Sequence, residues 1–243
     1  MPETAGTPYL SVVMPVYNEE RCVAESLRRI AAFMRLKNRE WELVVVSDGS
    51  VDRTDAIVRE IALTEPHLRF FVSEKNRGKG ATVRRGVLAA RGQCILVTDA
   101  DLAAPIKESD KLLAALDEGY DVAIGSRAVR APGCDVQQSP KRALMGRIFN
   151  FLVTILVVRG FKDTQCGFKC LTASAAQVIF SEQKLDGFSF DVEVLYLAKK
   201  KGMKVKETAV MWRPGKDSKI RVFRDSWRML KELFQIRKLH PSA

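Results

Sequence analysis

The stretch Ile95-Leu96-Val97-Thr98-Asp99-Ala100-Asp101 joins a short, apolar, β-branched run to two carboxylates one residue apart. The run reads as a buried central strand, and the acids fall where such a strand stops. In open α/β sheets, ligands bind at that edge. Side chains at i and i+2 of an extended segment point the same way, so Asp99 and Asp101 can face one hard cation that also holds two phosphate oxygens. Paired acids at strand ends also serve as helix caps and turn formers, so the pair takes its meaning from its surroundings.

Outward from this stretch, strand-like and helix-like segments alternate. Leu10–Met14 reads as a strand, followed by an amphipathic helix from Glu19 to about Leu36. Trp41–Val46 is the next strand, Asp52–Leu63 the next helix, and Leu68–Val72 a third strand followed by a helix from about Gly80 to Ala90. After the strand ending at Asp99 come a helix near Lys107–Leu116 and a strand Asp121–Ile124 closed by Gly125. This alternation predicts a mostly parallel sheet with helices on both faces.

Beyond Gly125 the rhythm breaks into a loop rich in Pro, Gly and charge, Arg130 to Pro140, and then a ten-residue apolar run, Phe149 to Val158. The run is too short to span a bilayer, which leaves a buried helix or an interfacial one. From Ile220 to Leu239, Phe223, Trp227, Leu230 and Phe234 recur at helical spacing among Arg221, Arg224, Arg228, Lys231, Arg237 and Lys238. That pattern predicts a basic amphipathic helix, either packed on its own domain or lying on a membrane surface.

The 243 residues are 47% hydrophobic, enough for one large core, and 40 Lys and Arg against 29 Asp and Glu give a net charge of +11. An excess of this size suits an anionic partner. No nucleic-acid motif accompanies it, and outside the tail the cations are interleaved with acids, so nucleic acid is not the expected partner. Five cysteines without a Cys-x-x-Cys pair argue for reduced thiols and a cytoplasmic setting. With only His67 and His240, neither a zinc site nor a His-based triad has its ligands, and metal chemistry here should be carboxylate chemistry. The first six residues lack the basic and apolar regions of a secretory leader.

Four segments fall at predicted strand ends on one sheet edge: Pro15-Val16-Tyr17-Asn18-Glu19, Ser47 to Asp52, Asn76-Arg77-Gly78-Lys79-Gly80, and Asp99-Ala100-Asp101. Together they resemble the donor-binding half of family-2 glycosyltransferases of the GT-A fold, which use nucleotide-diphosphate sugars and usually a divalent cation. Gly125-Ser126-Arg127, Asp163-Thr164-Gln165-Cys166-Gly167-Phe168-Lys169, Phe190-Asp191-Val192-Glu193, and Trp212-Arg213 through Ser218-Lys219 are similar to the polyprenyl-phosphate branch. Within that branch the Thr-Gln-Cys-Gly-Phe-Lys run is nearest to dolichyl-phosphate glucosyltransferases, with the mannosyltransferases next.

The resemblance implies an α/β, Rossmann-like GT-A domain over 1–215, with a donor half of about 8–128 and an acceptor half of about 129–215, and a basic amphipathic tail, 216–243, at the membrane surface. Pro15, Tyr17 and Glu19 would shape a pocket for base and ribose, although Glu19 also suits a helix start. Asp48 would accept a hydrogen bond from the base, whereas Asp52 equally suits a helix cap. Gly78-Lys79-Gly80 offers close backbone approach and a cation but lacks the spacing of a P-loop. Asp99, Ala100 and Asp101 would meet the donor diphosphate, with Asp99 and Asp101 holding Mg²⁺ or Mn²⁺. The related mannosyltransferases usually carry Gln two residues beyond the second Asp, where this chain has Ala103. Arg127, Arg142, Arg213 and Lys219 match positions expected to hold the lipid phosphate, for which Arg supplies forked contacts and Lys a point charge.

The second ionisation of a phosphate monoester lies near about pH 6, so the nucleophile is already largely anionic. Asp191 and Asp163 are therefore candidates for positioning rather than an obligatory base, Asp191 being the one grouped with Asp99 and Asp101 as catalytic. The expected activity is inverting transfer of a hexose from UDP-glucose, or GDP-mannose, to a polyprenyl phosphate at the cytosolic membrane face. The alternative is a GT-A transferase with a soluble acceptor, for which an aspartate base would matter more. Eukaryotic glucosyl members usually carry an N-terminal anchor not seen here, which implies peripheral attachment or an anchoring partner subunit.

Overall fold

The computed structural model describes residues 6–137, 140–213 and 222–241, with 140–143 and 222–228 described as helix backbone only. Seven strands form one sheet in the order β3-β2-β1-β4-β6-β5-β7. Strands β1 (Leu10–Val16), β2 (Trp41–Ser47), β3 (Leu68–Val72) and β4 (Cys94–Val97) are mutually parallel, as their apolar runs predict. They are joined by α1 (Val23–Arg35), α2 (Thr54–Ala62) and α3 (Lys79–Ala89). A 3₁₀ turn, Ile106–Glu108, leads into α4 (Ser109–Asp117), and β5 (Val122–Ser126) follows.

The second half adds α5 (Pro140–Leu156), β6 (Lys169–Thr172), α6 (Ala173–Glu182), α7 (Phe190–Lys200), β7 (Val205–Ala209) and α8 (Val222–Leu239). Strand β6 enters between β4 and β5 and runs antiparallel to both, while β7 extends the edge parallel to β5. Several expected boundaries move: β1 runs on to Val16, and the helix expected from Glu19 begins at Val23. Strand β4 stops at Val97, leaving Thr98 and Asp99 in the loop, and β5 continues through Gly125 to Ser126. Gly125 fits closely there: a Cβ would stand 3.1–3.2 Å from Val210, Cys166 and the Phe168 carbonyl, so these neighbours would have to give by a few tenths of an ångström.

Alternate strand residues feed two cores. Leu10, Val12 and Met14 join Leu27, Ile30, Leu43, Leu96 and Leu112 on one face, under α1 and α4. Val13, Val44, Val46, Ile95 and Val97 join Val83, Ile179, Phe180 and Leu195 on the other, under α3, α6 and α7. Each such side chain contributes about 1.5–3 kcal/mol on burial, so the register of β1, β2 and β4 is strongly specified. The chain departs to opposite sides at β1 and β4, and the cleft lies beyond their C-terminal ends.

Helix α8 packs against α5 and α7, burying Met229, Leu233 and Ile236. The stripe expected from the sequence is divided: Leu230 is half-buried, Phe234 is exposed, and the side chains of Phe223 and Trp227 lie outside the described residues. Just beyond the helix, the buried His240 imidazole meets Glu193 at 2.6 Å. The apolar run at Phe149–Val158 is likewise shared between environments, with Val153, Val157 and Val158 in the core and Phe151 and Ile155 exposed. Among the described residues, no helix is long and apolar enough to cross a membrane.

Candidate active site

The chain turns sharply after β4. The Leu102 amide donates to the Asp99 carbonyl at 3.1 Å, and Leu102 adopts a left-handed backbone with φ +47°. A branched residue there is uncommon and costs energy that the surrounding packing must hold. The turn keeps Asp101 exposed, and the Asp101 carboxylate accepts from the Ala103 amide at 3.0 Å. Ala103 itself is buried, and its carbonyl accepts from the Arg213 amide at 2.8 Å. The turn is thus tied by its backbone to the segment following β7.

Asp99 accepts from the Lys79 ammonium at 2.6 Å. Burial pushes the Asp99 carboxyl upward, but Lys79 outweighs it and holds the group below its ordinary value. Asp101, though open to solvent on one side, is raised, first by partial desolvation against the cleft wall and then by the neighbouring Asp99 charge. Lys79 is held above its ordinary value despite burial, because Asp99, Asp191 and Asp101 all act on it. The structure therefore brings Asp99, Asp101, Lys79 and Asp191 into one electrostatic group.

Glycines permit this arrangement. Gly78 has φ +111°, and a Cβ on it would lie 2.3 Å from the Asp186 carbonyl oxygen. At Gly80 a Cβ would lie 2.2 Å from the Leu185 oxygen. Only bare backbone lets α3 begin under the α6–α7 loop and aim Lys79 at the cleft. Asp48 organises the β3–α3 loop that leads into Lys79, its two oxygens accepting from the Arg77 and Gly78 amides at 2.8 and 2.9 Å. On the other flank, Asn18 (φ +54°) accepts from the Val51 amide at 2.8 Å, and the Glu19 amide donates to Thr54 at 2.7 Å. Asp52 accepts from the Thr54 amide at 2.9 Å and so serves the start of α2. Pro15 is half-buried and Tyr17 exposed at this rim.

On the acceptor side, Arg127 forks onto Asp163, with Nε and a terminal nitrogen 2.7 and 2.8 Å from its two oxygens and the Arg127 amide 3.0 Å away. Burial opposes ionisation of Asp163, yet Arg127 holds its carboxyl below the ordinary range. The guanidinium also lies 5.5 Å from the centre of the Trp212 ring. Arg213 is exposed beside Trp212, whereas the Arg142 side chain and Lys219 lie outside the described residues.

Two further residues were quoted from the sequence only within the Asp163–Lys169 motif and given no role of their own. Lys169, on β6, is buried and ion-paired with Asp191 while donating to the Cys166 carbonyl. Gly167 lies against the carboxylate, and a Cβ there would stand 2.7 Å from Asp99 Oδ2 and 3.1 Å from Lys79 Nζ. The signal was available as a lone Lys inside an otherwise apolar Cys-Gly-Phe-Lys-Cys-Leu run.

Among the described residues, no group of three or more His, Cys, Asp or Glu is arranged to hold a metal alone. Two hard carboxylates, one raised by desolvation and by repulsion from the other, nonetheless fit a divalent cation that takes its remaining ligands from phosphate and water. The donor set suits Mg²⁺ or Mn²⁺ bound together with a diphosphate.

Comparison with known proteins agrees with this geometry. Residues 11–180 match the family described as glycosyl transferase family 2. The chain is 37% identical over 244 residues to a dolichyl-phosphate beta-glucosyltransferase of Drosophila melanogaster, covering 93% of this chain and 74% of the relative. The human protein of that name is 35% identical, covering 95% and 75%. A Trichomonas vaginalis protein of that name is 37% identical over 88% of this chain, which spans only 66% of the relative's length. Glucosyl-3-phosphoglycerate synthase from Mycobacterium tuberculosis, solved with Mn²⁺, UDP-glucose and phosphoglyceric acid, superposes with a TM-score of 0.72 at 17% identity, covering 97% and 82% of the two chains. That likeness is one of fold.

Proposed function

The chain belongs to glycosyl transferase family 2, and we propose that it transfers glucose, with inversion, from UDP-glucose to a dolichyl or related polyprenyl phosphate. The observation that carries this reading is the 35–37% identity to dolichyl-phosphate beta-glucosyltransferases across most of the chain. The Asp99/Asp101 edge of the sheet supplies a site of the corresponding chemistry.

Asp99 and Asp101 would hold Mg²⁺ or Mn²⁺, which when bound neutralises charge on the departing diphosphate. Lys79 adds a cation to the same region. Pro15, Tyr17 and Glu19 form the rim on which base and ribose rest, and Asp48 shapes the loop facing them. A phosphate oxygen of the lipid forms the new bond to the anomeric carbon as its bond to UDP breaks. Being already anionic, it needs no proton removed. Asp191, paired with Lys169, is therefore assigned to positioning. Arg213, exposed beside Trp212, is the described cation offered to the lipid phosphate, with Arg127 held near Trp212 by its fork onto Asp163 and Arg142 and Lys219 assigned from sequence alone.

The protein is proposed to work peripherally on the cytosolic face of a membrane. On α5, Leu144, Ile148, Phe151 and Ile155 are 59%, 54%, 64% and 51% exposed and recur on one helical face. The segment 140–162 carries Lys141, Arg142, Arg147, Arg159 and Lys162 and no acid. An apolar stripe in such a setting is complementary to an anionic bilayer surface.

The reading is tested by offering radiolabelled UDP-glucose and GDP-mannose in parallel to a short polyprenyl phosphate with Mg²⁺ or Mn²⁺. Label entering the organic phase from UDP-glucose is the expected result. Label from GDP-mannose alone would reassign the donor, and label on a water-soluble acceptor alone would reassign the acceptor.

A further inference from the structure

Three carboxylates in the cleft, Asp99, Asp101 and Asp191, act on the single ammonium of Lys79. This is not a loose surface lysine. It opens α3 between two glycines pressed against the Asp186 and Leu185 carbonyls, and its Nζ sits 2.6 Å from Asp99 under the backbone of Gly167. Lys169 and Arg127 also act on Asp99 from farther away, but each is committed to its own partner, Asp191 and Asp163. The Asp99 carboxylate that a divalent cation needs is thus already engaged by Lys79 through Oδ1. A metal ion entering alone would have to displace this ammonium or sit beside it, and two cations at that separation repel. A nucleoside diphosphate changes the balance, because its phosphate oxygens give Lys79 another partner.

We propose that Lys79 is the internal counter-ion of the metal site, excluding a free divalent cation and yielding Asp99 only when the cation arrives with a nucleoside diphosphate. The inference rests on the donor reading above and adds an order of binding to it. By linkage, the diphosphate tightens the cation by the same factor as the cation tightens the diphosphate.

The test is Mn²⁺ binding to the full chain, read from the electron paramagnetic resonance signal of free Mn²⁺, with and without UDP and with no sugar transfer involved. For the unaltered protein, UDP should tighten Mn²⁺ at least tenfold. Lys79→Met should bind Mn²⁺ alone at least tenfold more tightly than the unaltered protein, with a correspondingly smaller gain from UDP, while Lys79→Arg should retain the exclusion. Tight Mn²⁺ binding indifferent to UDP in the unaltered protein would overturn the inference and leave the donor reading standing, as would a folded Lys79→Met with unchanged affinity for Mn²⁺ alone. Failure of the unaltered protein to bind UDP at all would overturn the donor reading and the inference with it. Because phosphate ligands alone would also tighten Mn²⁺, the variants decide the role of Lys79: if Lys79→Met does not fold, Lys79→Gln takes its place, and unchanged affinity of the folded variant for Mn²⁺ alone overturns the inference.

Discussion

Gly167→Ala adds one methyl group at the point where the acceptor half meets the diphosphate-facing acids. An unshifted Cβ would lie 2.7 and 3.0 Å from the two Asp99 oxygens and 3.1 Å from Lys79 Nζ. Ordinary contact begins at 3.4 Å, so a relative displacement of roughly 0.7 Å is required unless the ion pair opens. All three atoms are side-chain ends, so the fold can absorb the methyl by swinging them aside, but only by re-aiming the Asp99–Lys79 pair that faces the cleft. A displacement approaching 1 Å at a positioned group costs up to about 10²-fold in rate. We therefore expect kcat for transfer from UDP-glucose to fall about 10- to 100-fold, or about 1.4–2.7 kcal/mol of transition-state stabilisation. Gly167 lies in a loop, so the thermal midpoint should move by only a few degrees. Initial rates by organic extraction, with a melting curve on the same sample, decide it. A folded Gly167→Ala protein retaining more than half of the original kcat would refute the claim that this glycine is a spacing requirement of the site.

Asp163→Asn removes the charge that the Arg127 fork requires and should cost about 3 kcal/mol at neutral pH, seen as a loss of about 6–12 °C in Tm. Since the folded Asp163 carboxyl is held below its unfolded value, its contribution is present above about pH 3.9 and is lost as pH falls through the folded value. The variant should accordingly show a shallower acid limb of stability, and an unchanged limb measured by denaturant titration would count against the pair. Asp101→Ala should abolish lipid labelling while leaving the melting curve in place, since the side chain is exposed; full activity would remove the metal-site assignment. Ile148→Asp combined with Phe151→Asp should weaken sedimentation with acidic liposomes without loss of fold, and unchanged sedimentation would return this stripe to an ordinary surface.

The parallel half of the fold was legible because β1, β2 and β4 are continuous apolar runs separated by amphipathic helices. In the second half only the helices at the apolar run and the tail were legible, as α5 and α8. Strand β6 is four residues long and begins at Lys169, whose polarity hides its burial until Asp191 is seen opposite. Strand β7, Val-Lys-Glu-Thr-Ala, lies at a sheet edge and reads as polar. Likewise, the switch-point rule pointed to the sheet edge where Asp99 and Asp101 lie, but they sit in a sharp turn beyond β4 and not in the extended segment that period-2 geometry assumed, and their partners depend on contacts distant in sequence. Asp48 shows the difference: its identity pointed to ligand binding, whereas its observed hydrogen bonds run to the loop that carries Lys79. Arg127 likewise reads from sequence as a phosphate holder and is found already forked onto Asp163.

The anomeric configuration of the lipid product formed from UDP-glucose, read from the coupling constant of the anomeric proton, tests the central claim most directly. Direct displacement of UDP by a lipid phosphate oxygen predicts a β-linked glucosyl phosphate on the polyprenol. An α-linked product would contradict the single inverting displacement, and glucose recovered only in the aqueous phase would contradict the lipid acceptor.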